Sequence, residues 1–410
     1  MSWSPKRLDE LGSVSRGRSR HRPRDAAHLY GGPHPFIQTG DVKHAGLYIT
    51  GFTQTYTEAG LQQSKLWPAG TLCITIAANI ADTAILGIDA CFPDSVIGFI
   101  ADPTQSDARF VKYLFDATIK VRAQQFSQGA TQDNLSQEKL LSLDFDVPPV
   151  AEQSRIADLL STYDDLIENN RRRMALLEES ARLLYCEWYI RLRFPGYEHT
   201  SIVDGVPHGW ERKTLESVCL SGNGIQTGPF GSQLHQADYS EEGVPVVMPK
   251  DIIDFRVSVA TIARIPEGLA DSLGRHRMIP GDIVYGRRGD IGRRAFIGKR
   301  QQGWFCGTGS LRLRPDPQAI NPLYLFDHLG TPAAVGDITN RAKGSTMLNL
   351  SAAALKPVPV LVPSCTLQEM YAEQIEKVRE MVEVLDEQNQ KLRAARDLLL
   401  PRLMSGELAV

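Results

Sequence analysis

No C-x-x-C pair occurs in this sequence, and its six cysteines (Cys73, Cys91, Cys186, Cys219, Cys306, Cys365) are scattered along 410 residues. That spacing indicates neither a zinc site nor a disulfide framework, so six reduced thiols are expected. No run approaches the ~18 consecutive apolar residues of a membrane span. The opening MSWSPKRLDELG lacks the apolar stretch of a signal peptide, and a cytoplasmic protein without membrane contact is expected. The nine histidines show no metal-ligand spacing, so no metal is expected. An excess of positive charge is also missing. With 45 Lys/Arg against 48 Asp/Glu the net charge is −3, which argues against a protein that coats nucleic acid unaided, because such binding comes from neutralised phosphates.

Catalytic motifs are absent as well. GNGIQTGPFG (Gly222 to Gly231) is glycine-rich, but its G-x-G-x-x-x-G spacing and the lack of a leading strand do not fit a dinucleotide site. In GRRAFIGKR (Gly292 to Arg300) the glycines are one residue too far apart for a phosphate loop, and Arg300 stands where Ser or Thr is required. There is no N/D-P-P-Y/F tetrapeptide of the kind DNA amino-methyltransferases use. No cofactor and no catalytic residue are expected, and chemistry on a nucleic acid would have to come from a partner.

What the sequence does contain is itself, written twice. WSPKRLDEL (Trp3 to Leu11) matches WERKTLESV (Trp210 to Val218), and PFIQTGDV (Pro35 to Val42) matches PVVMPKDI (Pro245 to Ile252). AGTLCIT (Ala69 to Thr75) matches PGDIVYG (Pro280 to Gly286), and GATQDNLS (Gly129 to Ser136) matches GSTMLNLS (Gly344 to Ser351). From there a constant offset of 215 carries Gln153 onto Gln368 and Leu184 onto Leu399. Within each copy, short β-branched runs such as TLCITIA, SVIGFIA, SLRLRP and PVPVLVP are bounded by Gly and Pro, with helical patches such as NPLYLFDHL between them. That mixture predicts an α+β fold. The expected organisation is a globular module over 1–150, a helix over 151–190, a linker over 191–207, a second module over 208–363, a second helix over 364–404 and a tail over 405–410.

After the prolines that close each module the pattern changes to heptads. Ile156, Tyr163, Asn170, Leu177 and Leu184 form one stripe, and Leu160, Ile167, Met174, Ala181 and Trp188 the other. The second copy gives Tyr371, Val378, Leu385, Leu392 and Leu399 beside Ile375, Val382, Asn389, Arg396 and Leu403. Two such stripes over about five heptads predict two long helices packed as an antiparallel coiled coil, each about 50 Å long at ~1.5 Å per residue. A single amphipathic helix lying on each module is the alternative. In an antiparallel register pairing Ile156 with Leu403 and Trp188 with Tyr371, the only asparagines of the stripes, Asn170 and Asn389, face each other. The opposing layers are then mostly apolar, and a slipped register would leave each amide without a partner.

The module segments offer hydrogen-bond donors suited to DNA. SRGRSRHRPRD (Ser15 to Asp25) alternates Arg16, Arg18, Arg20 and Arg22 with small residues, and guanidinium groups can fork onto phosphates or onto guanine O6 and N7. It belongs to a stretch, 1–24, with seven Lys/Arg against two acids, and a solvated, partly disordered arm is the other reading. It leads into Gln38 and Thr39 of PFIQTGDV. In the second copy the corresponding candidates are Gln226 and Thr227, Lys250, and the loop arginines Arg287, Arg288, Arg293 and Arg294. Pairing of one or two of those arginines with Asp282 or Asp290 is the structural alternative.

Taken together, these residues resemble the specificity subunits of type I restriction-modification systems. The resemblance rests on two copies of an α+β module, each opening with W-x-x-x-x-L and closing with proline, Q-x-x-I and a long helix. Its most specific pieces are IQTGPFGSQLHQADY followed by GVPVVMPKDI, SRHRPRD followed by YGGPHPFIQTGDV, and the pair GATQDNLS and GSTMLNLS. It implies a non-catalytic subunit in which each module, a target-recognition domain, reads one half of a bipartite asymmetric site on double-stranded DNA. The helices would act as a spacer. The partners implied are two methyltransferase subunits and two restriction subunits, the latter ATP-dependent translocases and endonucleases. No base-contacting residue carries over from the family, because those are its variable ones. Two other readings are a methyltransferase or fused restriction-methylation enzyme, and an assembly scaffold without sequence readout.

Overall fold

Each repeated motif of the sequence builds a piece of the same scaffold. In the computed structural model, which describes residues 3–21, 23, 25–77, 80–126, 136–230, 233–288, 291–342 and 349–410, the two W-x-x-x-x-L openings are strands. Ser4–Arg7 pairs antiparallel with Asp144–Val147, and Glu211–Thr214 with Pro359–Val362. The first strand of a module thus clasps the last one, just before the chain enters a long helix. Leu8 and Leu215, the leucines of the two motifs, are fully buried beneath these clasps.

PFIQTGDV and PVVMPKDI are each a strand ended by a carboxylate-capped turn. Asp41 accepts a hydrogen bond from the Gln38 N–H at 2.7 Å, and Asp251 from the Met248 N–H at 3.0 Å. Asn and Asp side chains stop strands in this way by satisfying the backbone two or three residues away. Most of GATQDNLS and GSTMLNLS lies outside the described residues. Their final serines, Ser136 and Ser351, cap the short helices Gln137–Leu141 and Ala352–Leu355 by accepting from Lys139 and Ala354 N–H groups.

The shared Gln of the helix starts is a tie. Gln153 and Gln368 are buried. Gln153 donates to the carbonyls of Pro148 and Gln105 and accepts from Asp107 N–H. Gln368 donates to Pro363 and accepts from Asn321 N–H at 2.7 Å. In both copies one amide therefore fixes the prolines, the helix that follows them and the start of a module helix, Ala108–Phe126 in the first copy and Pro322–His328 in the second.

The chain divides into two compact units, residues 1–174 with 383–410, and residues 175–382. Each contains one globular module and segments of both long helices, Val150–Tyr185 and Cys365–Met404. In the first unit the sheet order is Gly12–Arg16, Val96–Ala101, Leu72–Thr75, Thr83–Leu86 and Tyr48–Ile49, antiparallel except for the last pair. Leu72, Ile74, Phe99, Phe110 and Phe115 form its core together with Ile156, Leu160 and Leu403 of the helices. In the second unit the order is Ile225–Thr227, Ser310–Leu313, Ile283–Gly286 and Arg294–Phe296, all antiparallel. A second sheet places Val244–Val247 between Ala263–Ile265 and Phe305–Cys306. Tyr185, Tyr189, Tyr371 and Ile375 of the helices enter the core of this unit.

The heptad stripes are the buried and half-buried faces of both helices. Within the first unit, Asn170 Nδ2 donates to Asn389 Oδ1 at 3.1 Å, and Asn389 Nδ2 lies 3.9 Å from Met174 Sδ. Arg396, the charged residue of its stripe, forms an ion pair with buried Asp164, whose other oxygen accepts from Tyr113 O–H at 2.5 Å. In the second unit Trp188 and Tyr371 pack with ring centroids 6.1 Å apart. Both readings of the helices therefore hold at once, because seam residues such as Ile156 and Leu160 also seal the module core. No described helix is long and apolar enough to cross a membrane.

Candidate nucleic-acid interface

In the first module residues 12–21 of the arginine segment are pinned along their backbone, against the alternative reading of a solvated, partly disordered arm. Gly12–Arg16 is a sheet strand with Arg16 opposite Ile97. The Gly17 N–H then donates to Val96 at 2.8 Å and Arg18 N–H to Phe92 at 3.0 Å. Gln63 Oε1 receives both the Arg20 and His21 N–H groups, at 2.6 and 3.0 Å. Close packing demands glycine at position 17, where a Cβ would lie 2.3 Å from the Pro93 carbonyl. The Arg16, Arg18 and Arg20 side chains are exposed, while Arg22 lies outside the described residues.

Gln38 and Thr39 come to the same place. The Ile37 N–H donates to Cys91 at 2.8 Å, one residue from the Phe92 carbonyl that holds Arg18. Both candidates are half-buried. Gln38 Nε2 donates to Gln54 Oε1 at 2.6 Å, and Thr39 opens the helix Thr39–His44. Beside the pinned arginines lies the turn that carries these two half-buried side chains.

In the second module four separate segments converge. Gly228 N–H donates to Ser310 at 3.0 Å, and Thr308 Oγ1 to the Pro229 carbonyl at 3.2 Å. Arg287 N–H donates to Gly309 at 3.0 Å. A Cβ added at Gly309 would sit 3.4 Å from Pro249, and one at Gly286 3.5 Å from it. The approach depends on glycine, since a Cβ at Gly228 would lie 2.0 Å from the Gly307 carbonyl. This brings Phe230, Lys250, Arg287 and Arg288 onto adjoining loops. Lys250 is exposed and donates to the Thr261 carbonyl at 3.2 Å. Arg288 is exposed on a bridge to Asn349.

Arg294 and Gln226 among the candidate donors are engaged within the protein, and Arg287 is partly so. Arg294 is 6% exposed. Its Nε donates to the Phe326 carbonyl at 3.1 Å, and its guanidinium lies 4.8 and 4.7 Å from the ring centroids of Phe255 and Phe326. Adjacent residues entering a strand point to opposite sides, so exposed Arg293 and buried Arg294 cannot face one surface. Gln226 accepts from Arg312 Nη2 at 3.2 Å, and Arg287 is partly committed through Nε to the Leu350 carbonyl at 3.2 Å. Thr227 is half-buried on the strand beside Gln226. Asp282, a possible partner of the loop arginines, is taken by Arg314 at 2.7 Å through both carboxylate oxygens. Asp290 lies outside the described residues.

Sequence reasoning passed over two residues here. Arg312 is only 2% exposed and ties together the Asn223 carbonyl at 2.6 Å, the Gln226 side chain and the Arg277 carbonyl. Its place between Leu311 and Leu313 in a strand marks it as facing the other side of the sheet. Phe230, in contrast, is 59% exposed, and its flanking Gly-Pro pair was the available sign of a rigid loop tip.

Two copies of one α+β scaffold, each packed on helix segments of its own unit and each carrying a different set of basic loops, define a tandem-module, helix-linked protein. The family model described as the type I restriction modification DNA specificity domain matches residues 2–179. The MjaIX specificity subunit of a type I restriction enzyme from Methanocaldococcus jannaschii is 23% identical over 100% of this chain and 94% of its own. The HindI specificity subunit from Haemophilus influenzae is 21% identical over 69% of this chain and 72% of its own. The crystal structure of a type I restriction-modification system S subunit from M. genitalium shares the fold, with a TM-score of 0.60 at 17% identity over 98% of this chain and 96% of that one. Residues 2–179 match that specificity domain, and along its whole length the chain is similar to specificity subunits of type I restriction-modification systems.

Proposed function

We propose that this chain reads a bipartite, asymmetric sequence on double-stranded DNA, one half per module, and recruits two methyltransferase and two restriction subunits that carry out the chemistry. The observation behind it is that the scaffold motifs repeat while the loops they carry do not. Arg16, Arg18 and Arg20 with Gln38 and Thr39 occupy one module; Phe230, Lys250, Arg287, Arg288 and Arg293 occupy the other. Modules built from the same repeated motifs but carrying different donors suit two different half-sites, because base-edge contacts specify while phosphate contacts supply affinity. With a net charge of −3, phosphate neutralisation is left largely to the partners, and the lone chain binds weakly. The exposed apolar side chains Leu166 and Leu398 in the first unit, and Leu176 and Met381 in the second, suit docking of partner helices.

Single-molecule sequencing of methylated genomic DNA from a host carrying the operon tests the reading. A bipartite methylated motif that disappears when this gene is deleted is the expected result. Methyl transfer by the purified chain alone would make it an enzyme, and a footprint without sequence preference in the assembled complex would make it a scaffold.

A further inference from the structure

We propose that each module is keyed to its own long-helix segment by a hydrogen-bonded pair whose donor and acceptor are reversed between the two units, so that a module seats in one place and not in the other. Taken with the DNA-reading function proposed above, on which this consequence rests, the key fixes the order in which the two half-sites are read.

The glutamine ties give the two units a common register. Gln153 accepts from the Asp107 N–H and Gln368 from the Asn321 N–H, each at the start of a module helix. Six residues on from those starts stand Tyr113 and Asp327, and eleven residues on from the glutamines stand Asp164 and Arg379. In the first unit buried Tyr113 donates its O–H to Asp164 at 2.5 Å, and Arg396 forms an ion pair with the same carboxylate. In the second unit Asp327 is the acceptor, receiving Tyr371 O–H at 2.7 Å and Arg379 Nη2 at 3.1 Å. The carboxylate thus sits on the long helix in one unit and on the module in the other. Burial, followed by the neighbouring carboxylate, raises the pKa of Tyr113 and of Tyr371, so both hydroxyls stay donors.

The reversal has a simple origin in the sequence. The tetrapeptide YLFD occurs in both module helices, but it begins six residues after Asp107 and only three after Asn321. A slip of three residues is nearly one helical turn, so the face is kept while Tyr and Asp change places. Transposing the modules would therefore set wrong groups against each other. Asp327 would meet Asp164, two carboxylates where the native pair has a carboxylate and a hydroxyl. Tyr113 would bring a hydroxyl where Arg379 and Tyr371 need a carboxylate. Lys112, five residues on from Asp107, would replace Phe326, whose ring centroid lies 4.4 Å from the Arg379 guanidinium. A half-buried charge that loses its partner or gains a like neighbour is a repulsive element of the kind that separates right partners from wrong ones.

The test uses the full chain with residues 3–147 and 210–362 exchanged, two pieces that the clasp strands close on themselves. This transposed chain should melt roughly 10 °C below the native one, as expected for disrupted buried pairs in units of this size. Carrying Tyr113→Asp and Asp327→Tyr as well, it should recover about half of that shift. Assembled with methyltransferase subunits, the re-keyed chain should methylate a motif whose halves stand in reversed order. In the native order, Tyr113→Asp should lower the melting temperature more than Tyr113→Phe, because only the former sets a carboxylate beside Asp164. A transposed chain as stable as the native one, a re-keyed chain no more stable than the transposed one, or equal shifts from Tyr113→Asp and Tyr113→Phe overturns the inference and leaves the DNA-reading function standing. Absence of a bipartite methylated motif from the native complex overturns that function, and the melting temperatures still decide the key.

Discussion

At the scale of single residues, arginines that look equivalent in the sequence have opposite environments. Arg288 is exposed, whereas Arg294 is enclosed by Phe255, Phe326 and a carbonyl. Arg288→Ala should weaken one position of the second half-site by ~1–3 kcal/mol while leaving stability within ~0.5 kcal/mol. Arg294→Ala should lower unfolding free energy by ~1–3 kcal/mol, because it leaves the Phe326 carbonyl without its donor, and should leave the preferred base sequence unchanged. Denaturant unfolding and competition binding with variant duplexes separate the two outcomes. Titration at the residue scale has a definite sign. His276 is buried, and burial, followed by Arg275 and Arg312, lowers its pKa from 6.5 to about 4. A histidine held neutral in the fold contributes stability above its ordinary pKa that is lost as pH falls through the window from 6.5 toward 4. The melting temperature should therefore drop across that window, and His276→Gln should flatten the drop. Burial also lowers the His328 pKa, so some acid sensitivity should persist in the variant; an identical pH profile would exclude His276 as a contributor.

At the scale of elements, the helix pair carries a polar layer in an apolar seam. Asn170 is 7% and Asn389 1% exposed, and they bond at 3.1 Å. Asn170→Leu alone should cost ~1–3 kcal/mol, since the Asn389 amide is then buried without its partner. Adding Asn389→Leu should recover most of that loss, because two apolar groups of similar size fill the layer. Unfolding of the two single variants and the double variant gives the coupling energy, and strictly additive losses would show that the pair is not energetically linked. Legibility was high at this level. The period of seven and the position of both asparagines were enough to place them opposite each other, because helix geometry is local and repeats. Loops obey no comparable local rule. Arg293 and Arg294 could be separated only once the register Tyr285 opposite Arg294 was known.

For the whole molecule, repetition makes a testable claim of independence. Exchanging residues 1–150 for the corresponding module of a relative should change one half of the methylated motif and leave the other intact, as read by sequencing of methylated DNA. Alteration of both halves would mean that the readers are coupled. The clasp strands Ser4–Arg7 with Asp144–Val147 explain why the exchange should fold. They close the first module onto itself before the helix begins, so the ends of the exchanged piece are already paired. Residues of the central helix such as Ile156 and Leu160 contribute to the module core, so a donor module must match them in volume to preserve stability.

From the sequence alone came the duplication, the α+β character of each module, the two heptad helices and the asparagine pairing, because all of these follow from periodicities that neighbouring residues impose on one another. Tertiary structure decided which donors are available. Arg16, Arg18 and Arg20 turned out to project from a pinned strand and turn, Arg294 and Arg312 were drawn into the interior, and Phe230 emerged at a loop tip. The physical reason is that the exposure of a long cationic side chain depends on carbonyls and rings contributed by distant segments. Arg294 meets Phe326 and Arg312 meets Asn223 only after the sheets have assembled.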